Sequence, residues 1–153
     1  MQFLLLRKKY MDFIVGMFLL IEGIQDFRTK RISLWRGLCF GMLGLCISIM
    51  SDRLWSSVIW AEVPGLICLI ISYCSRQAIG YGDGFLLCML GTFYEIGEVL
   101  FILFLAMGFA GILGLVLLVL FQKNGKQEIP FVPFLFVGWF IFHGITWING
   151  GIL

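Results

Sequence analysis

Two aspartates have the residue type and setting for chemistry in a very apolar chain of 153 residues. Asp26 opens the segment DFRTKRIS, directly after an apolar stretch, and Asp83 lies in the segment GYGDG, directly before another. Two carboxyls a few ångströms apart resist double ionisation, so that one of them keeps a proton. The ionised partner then takes a proton from a water molecule, while the protonated one polarises a carbonyl group. The pair therefore predicts an aspartyl peptidase dyad with Asp26 and Asp83 as the catalytic residues.

Glycines and prolines accompany the two aspartates. Gly80 and Gly82 have no Cβ, so another backbone is able to come close to Asp83, as an extended peptide substrate requires. A third polar motif, IPFVPF, contains Pro130 and Pro133. We expect these prolines to hold an irregular segment that lines a cavity beside the site.

Glu22 lies four residues before Asp26, and therefore on the same face of a helix. It is a candidate for contact with the site. The helix dipole also predicts different roles for the two aspartates: Asp83, near a helix N-terminus, favours the anion, and Asp26, near a C-terminus, favours the proton. Each motif also has a plain interpretation: a solvated residue after a helix, a turn, and an ordinary helix start.

The elements that position these residues are predicted from composition. The chain is 61% hydrophobic and 13% charged, with a mean hydropathy of +1.02, whereas soluble domains are about half apolar and about a quarter charged. We expect an all-α, polytopic membrane protein with about six transmembrane helices in one transmembrane peptidase domain, residues 1–153. The fourth apolar stretch is a short span or a re-entrant element. The predicted stretches are 11–25, 34–50, 58–76, 84–94, 99–121 and 131–148.

Local signals add detail to these elements. Pro64 suits a first helical turn, which would put Glu62 at the membrane surface. His143 is predicted to be a packed, hydrogen-bonded histidine and not a metal ligand. The cysteines form no CxxC pair, so neither a metal nor another cofactor is predicted. Three glycines of the fifth stretch predict close helix packing there: Gly108, Gly111 and Gly114.

Topology relates the three polar motifs to each other. Two predicted spans separate Asp26 from Asp83, and two more separate Asp83 from Pro130, so all three motifs are expected on one membrane face. Basic residues in short loops favour the cytoplasmic side. Seven of them fall on this face: Arg28, Lys30, Arg31, Arg36, Arg76, Lys123 and Lys126. Four fall on the other face: Arg7, Lys8, Lys9 and Arg53. No basic segment is interleaved with aromatic residues, so nucleic acid is not a predicted partner.

The motifs DxRxxxI from Asp26, GxGD ending at Asp83, and IPFVPFL together resemble the type IV prepilin peptidases and the archaeal preflagellin peptidases, which are GxGD aspartyl proteases. The similarity runs over residues 21–136. It implies a six-helix membrane fold without a metal, in which Asp26 and Asp83 are catalytic. It also implies cleavage of the basic leader of prepilin or pseudopilin precursors at the cytoplasmic face of the bacterial inner membrane. Glu22 is then a candidate for leader recognition.

The chain departs from the family pattern at two positions and in length. Ser33 stands where many members have proline, and Phe85 where many have lysine. The chain has no room for the cysteine-containing domain that methylates the new N-terminus in larger members. It resembles the short forms without a methyltransferase domain that serve Flp/Tad-type pili, so methylation is not expected.

Two other functions stay open on the sequence. One is a non-catalytic membrane assembly or transport protein that keeps the fold. The other is a presenilin-like protease, which shares the GxGD motif and cuts within transmembrane helices.

Overall fold

The computed structural model describes residues 2–30, 32–51, 53–75, 80–120 and 130–148. These residues form six α-helices and no strand, which confirms the all-α prediction. Four basic residues used in the topology prediction lie outside the described residues, as does Ile129 of the proline motif; they are Arg31, Arg76, Lys123 and Lys126. The helices are α1 Gln2–Thr29, α2 Leu34–Met50, α3 Trp55–Cys74, α4 Tyr81–Phe93, α5 Ile96–Leu120 and α6 Val132–Ile148.

Two of these helices are long and apolar enough to cross a membrane, judged by length and composition. They are α3 over Trp55–Cys74 and α5 over Ile96–Val119. Helices α2 and α6 are apolar but shorter. The count of six spans therefore stays a prediction.

The chain divides into two compact units. The first unit comprises Met1–Lys30 and Ile102–Leu153, and the second comprises Arg31–Phe101. In the first unit α1 packs against α6, and in the second α4 packs against both α2 and α3. The prediction of a single domain is left open by this division.

Glycines on α2 allow α4 to pack closely in the second unit. Gly37, Gly41 and Gly44 recur at helical spacing and are buried, and a Cβ on each would collide with a side chain of α4. Ser48, one turn further on, donates from Oγ to the carbonyl oxygen of Thr92 at 2.6 Å. Small residues on one helix face let two helix backbones approach, as they do in membrane helix pairs.

The prediction of close packing at the glycines of α5 is wrong for the two that the structure resolves in detail. An added Cβ at Gly108 or Gly111 would meet no atom within 4 Å. The contact between α5 and α6 lies earlier along α5, where Gly138 of α6 faces the backbone of Ile102 and Ala106. A Cβ on Gly138 would lie 2.8 Å from the Ile102 carbonyl oxygen and 3.1 Å from the Ala106 nitrogen.

The prediction for Pro64 is also wrong. Helix α3 begins at Trp55, so Pro64 lies inside the helix, and Glu62 is half-buried within it instead of marking its surface end. The helix starts early because the N–H groups of Ser57 and Val58 donate to the carbonyl oxygen of Leu54, at 2.9 and 3.3 Å. An interior proline removes one helical hydrogen bond, but packing against neighbouring helices compensates for this in apolar helices.

The side chain of Arg53 closes the C-terminal end of α4. Its Nη1 donates to the carbonyl oxygens of Gly91 and Thr92, at 3.3 and 3.2 Å, and its Nη2 donates to that of Tyr94. Carbonyls in the last turn of a helix have no partner within the helix itself. The guanidinium group of Arg53 supplies these missing donors, and so fixes the end of α4 opposite to Asp83.

Replacing Arg53 with alanine is expected to lower the free energy of unfolding by about 1.5–3 kcal/mol, because charged hydrogen bonds to buried carbonyls are lost. Lysine at this position should restore only part of the loss, since an ammonium group cannot reproduce the planar fork of arginine. Thermal unfolding in detergent measures the effect. Arg36→Ala, which removes an exposed arginine from α2, is the matched control, and equal unfolding temperatures for the two alanine variants would contradict the capping role.

Candidate active site

Asp26 lies in the last turn of α1, as predicted. The helix ends at Thr29, and Lys30 adopts a left-handed backbone conformation with φ 51°. The N–H of Lys30 donates to the carbonyl oxygen of Asp26 at 2.8 Å. The residue Asp26 is only 6% exposed, so the carboxylate points into the protein and not into solvent.

The carboxylate of Asp26 binds the start of α6. Its Oδ2 accepts a hydrogen bond from the N–H of Val132 at 3.1 Å, and the N–H of Phe131 also stabilises the ionised form. The first N–H groups of a helix have no partner within the helix, and the side-chain oxygen of an aspartate, asparagine, serine or threonine often accepts from them. Here the acceptor comes from another helix, 106 residues away in the chain. The first and third polar motifs therefore meet.

The two prolines of the third motif explain why these N–H groups are available. Pro133 is the second residue of α6, so the expectation that it holds an irregular segment is wrong; Pro130 precedes the helix. The helix forms there because the carbonyl oxygen of Phe131 accepts from the N–H groups of Phe134 and Leu135, at 3.0 and 3.1 Å. Proline fits the first turn because its φ is already helical and it has no N–H to satisfy. The two N–H groups between the prolines are those that serve Asp26.

Glu22 is a second carboxyl on the same face of α1. It is 0% exposed, and side chains four residues apart on a helix are neighbours, with Cβ atoms about 5–6 Å apart. Gly23, between them in sequence, packs on α6: an added Cβ would lie 3.5 Å from the Cα of Pro133. Glu22 and Asp26 thus form a buried acidic pair beside the first turn of α6.

The environment of Asp26, just beyond the predicted span 11–25, shifts its titration. Burial raises the pKa of Asp26, and the charge of Glu22 raises this pKa further. The N–H groups of Val132 and Phe131 and the ammonium group of Lys30 act in the opposite direction, and the net pKa of Asp26 is above its usual range. Asp26 therefore keeps its proton to a higher pH than an exposed aspartate would.

Asp83 is the third residue of α4, and Gly80 is its N-cap. The N–H of Asp83 donates to the carbonyl oxygen of Gly80 at 3.1 Å, and Asp83 is half-buried. A Cβ on Gly80 would lie 3.0 Å from Oδ2 of Asp83, so glycine at this position leaves room for the carboxylate. The first turn of a helix favours an anion.

The absence of a side chain at Gly82 makes room for Ile32 of the first motif. A Cβ on Gly82 would lie 2.6 Å from Cδ1 of Ile32, so this glycine accommodates the isoleucine side chain of the segment DFRTKRIS. The second unit thus brings Gly80, Gly82 and Asp83 together with Ile32, and the first unit brings Glu22 and Asp26 together with Pro133. The meeting of Asp26 with Asp83 stays a prediction.

His143 is packed and hydrogen-bonded, as predicted. Its ring stacks on Trp139 with centroids 4.5 Å apart, and its Nδ1 lies 3.0 Å from the carbonyl oxygen of Trp139. Sequence reasoning missed its other neighbour, Asp12 of α1, whose Oδ1 lies 3.1 Å from Nε2. It also missed the N–H groups of Phe131 and Val132 as partners of Asp26; the only available signal was the pair of prolines around them.

Comparison with known proteins decides the family. The model of the type IV leader peptidase family matches residues 13–116, which is more than half of the chain. The chain belongs to the type IV leader peptidase family. The match confirms the resemblance and includes Glu22, Asp26 and Asp83, but it ends before the proline motif. No curated protein and no solved structure matches the chain. Membership of the type IV leader peptidases makes this protein a leader-peptidase-like protease with prepilin-type substrates.

Proposed function

We propose that this protein is a membrane-embedded aspartyl endopeptidase that removes the leader of prepilin or pseudopilin precursors, with Asp26 and Asp83 as its catalytic pair. The observation that supports this most directly is the Asp26 carboxylate, which is buried at the end of α1 and held by the first turn of α6. In a member of the type IV leader peptidase family, a carboxyl so placed fits the acid of a dyad. Cleavage takes place at the cytoplasmic face of the bacterial inner membrane, and the chain crosses that membrane six times.

The two carboxyls have different roles in the proposed reaction. Asp26 holds the proton, because burial raises its pKa, and Asp83 is ionised in the first turn of α4. Asp83 takes a proton from a water molecule, whose oxygen attacks the scissile carbonyl carbon. Asp26 gives its proton to the carbonyl oxygen as this becomes tetrahedral. Collapse of the intermediate returns that proton to Asp26 and moves the proton on Asp83 to the leaving amine. The pair titrates as a unit.

The surroundings of each carboxyl support these roles. Oδ2 of Asp26 accepts a hydrogen bond from the N–H of Val132, which holds the carboxyl group in place at the start of α6. Ile32, the last residue of the DxRxxxI motif, packs on Gly82 within the second unit, next to Asp83 in the chain. The reaction needs only water as a co-reactant.

Co-expression with pilin-like precursors tests the proposal, with leader removal followed on a gel. Replacing Asp83 with asparagine is expected to slow cleavage by about 10²–10⁴-fold, because the general base is lost. Glu98→Gln is a matched control, since Glu98 is the acidic residue in the first turn of α5 as Asp83 is in α4. Wild-type rates with Asp83→Asn would reject the dyad.

The same experiment separates the other two functions. Mass spectrometry of the product locates the cut: a leader peptidase cuts just before the hydrophobic helix of the precursor, and a presenilin-like protease cuts within it. An intact precursor beside folded wild-type protein would instead favour a non-catalytic assembly or transport protein.

A further inference from the structure

The proposed function requires one carboxyl group to keep a proton near neutral pH. The other carboxyl group of the dyad is not the only group that favours this proton. We propose that Glu22 is a positioning residue for this proton: its carboxyl group, buried one helical turn from Asp26, disfavours the ionised form of Asp26 and so keeps the proton available there. The inference rests on the proposed function for its role in the reaction, but the effect of Glu22 on Asp26 is measured without it.

The first argument is burial. Glu22 is 0% exposed and Asp26 is 6% exposed, and two adjacent carboxylates in a poorly solvated site cannot both ionise without a large electrostatic penalty. Asp26 consequently keeps its proton to a higher pH than a lone, exposed aspartate would.

The second argument concerns the groups that act on the charge of Asp26 in the first unit. In the part of this unit that the structure describes, they are the carboxyl group of Glu22, the ammonium group of Lys30 and the N–H groups of Phe131 and Val132 at the start of α6. The next titratable side chain of α6 is His143, about three turns further along, and α5 has none over 102–120. Glu22 is therefore the only acidic side chain among the described residues of this unit that is placed to hold the proton at Asp26.

The third argument concerns orientation. The hydrogen bond from Val132 to Oδ2 holds the Asp26 carboxyl group at the start of α6. Glu22 lies one turn deeper in α1, on the side away from the end of the helix. Its complete burial favours an effect on Asp26 over direct contact with a basic leader, the role that the sequence suggested.

Infrared titration of the carboxyl stretching bands tests the pair directly on the full-length protein in detergent, and the loss of a band in Asp26→Asn identifies Asp26. In Glu22→Gln the midpoint of the Asp26 band is expected to fall by about one pH unit, because removing an adjacent carboxylate favours ionisation. Asp12→Asn is the matched control. It removes a carboxylate from the same helix about 21 Å away along the axis, and the midpoint should not move.

A second variant does not depend on the folding of Glu22→Gln. Glu22→Asp keeps a carboxyl group at this position, so the midpoint of the Asp26 band should stay close to that of the wild type. An Asp26 midpoint that is unchanged in Glu22→Gln, or that falls by about one pH unit in Glu22→Asp, would overturn the inference.

Activity measurements then separate this inference from the proposed function. The loss of cleavage at high pH should begin about one pH unit lower in Glu22→Gln than in the wild type, in kcat and for every leader tested. A higher KM for basic leaders, at an unchanged pH profile, would instead support leader recognition by Glu22 and overturn the proton role. If the Asp26 midpoint differs between the wild type and Glu22→Gln but the wild type cleaves no precursor, the proposed peptidase function is overturned and the effect of Glu22 on Asp26 is supported.

Discussion

Asparagine at position 26 will abolish leader cleavage in a protein that stays folded, whereas alanine at the same position will also destabilise it. The amide of asparagine keeps an oxygen that accepts the hydrogen bond from Val132, but it has no acidic proton to give to the scissile carbonyl. We expect a loss of about 10²–10⁴-fold in cleavage rate for both variants. Alanine also lacks the acceptor, so the free energy of unfolding of Asp26→Ala should be about 0.5–2 kcal/mol lower than that of Asp26→Asn, as expected for the loss of a helix cap.

The two variants separate catalysis from helix capping. Leader removal in co-expression measures the first, and thermal unfolding in detergent measures the second. If Asp26 had only a structural role, Asp26→Asn would cleave at nearly the wild-type rate, because asparagine still caps the start of α6. An alanine variant as stable as the asparagine variant would show that the contact with Val132 contributes nothing to folding.

Alanine at Gly91 will destabilise the second unit by about 1–3 kcal/mol, because an extra methyl group is forced into a filled contact. A Cβ on Gly91 would lie 2.5 Å from the carbonyl oxygen of Ala61 and 2.7 Å from its carbonyl carbon. These are backbone atoms of α3 and cannot rotate away as a side chain would. Helices α3 and α4 must therefore separate, and since α4 bears Asp83, cleavage should fall together with the unfolding temperature.

Gly111→Ala is the matched control for Gly91. It adds the same methyl group to a helical glycine, but at a position with no atom within 4 Å of the new Cβ. Its unfolding temperature should equal or slightly exceed that of the wild type, because alanine favours the helix over glycine, and its cleavage rate should not change. A similar loss of stability in both variants would mean that the loss at Gly91 does not come from the contact between α3 and α4.

The end of α1 and the beginning of α4 were predictable from the polar residues that interrupt the apolar sequence there. Asp26 and Lys30 mark the end of α1, and Asp83 marks the beginning of α4, as the alternation of apolar and polar segments indicates. Such residues cannot be buried in an apolar layer without partners, so their positions restrict where a helix is able to end. The placement of Asp26 at a C-terminus and Asp83 at an N-terminus follows from that restriction.

Packing between helices was not predictable in the same way. Gly37, Gly41 and Gly44 of α2 and the glycines of α5 look alike in sequence, yet only those of α2 meet a partner helix closely in the described residues. Pro64 misled for a related reason, because the cost of an interior proline depends on its neighbours. Small residues allow two helices to approach closely, but whether they do depends on the position of the partner helix.

The contact at the centre of the candidate site was hidden for another reason. Val132 binds Asp26 through its backbone N–H, and every residue except proline has such a group. The side chain of Val132 therefore says nothing about the contact. Sequence patterns identify the acceptor carboxylate, but the donor is revealed only when α1 and α6 are seen side by side.

The length of α4 has a consequence for how water reaches the chemistry. Thirteen residues of helix extend about 20 Å, whereas the hydrocarbon layer of a typical bilayer is about 30 Å thick. In the proposed membrane-embedded enzyme, an α4 that crosses the bilayer would leave a recess about ten ångströms deep at one end. The carboxylate of Asp83 makes its own end the favourable place, because a charge in hydrocarbon is costly. The water of the proposed reaction would enter through this recess, and a peptide backbone would be cut below the level of the lipid headgroups.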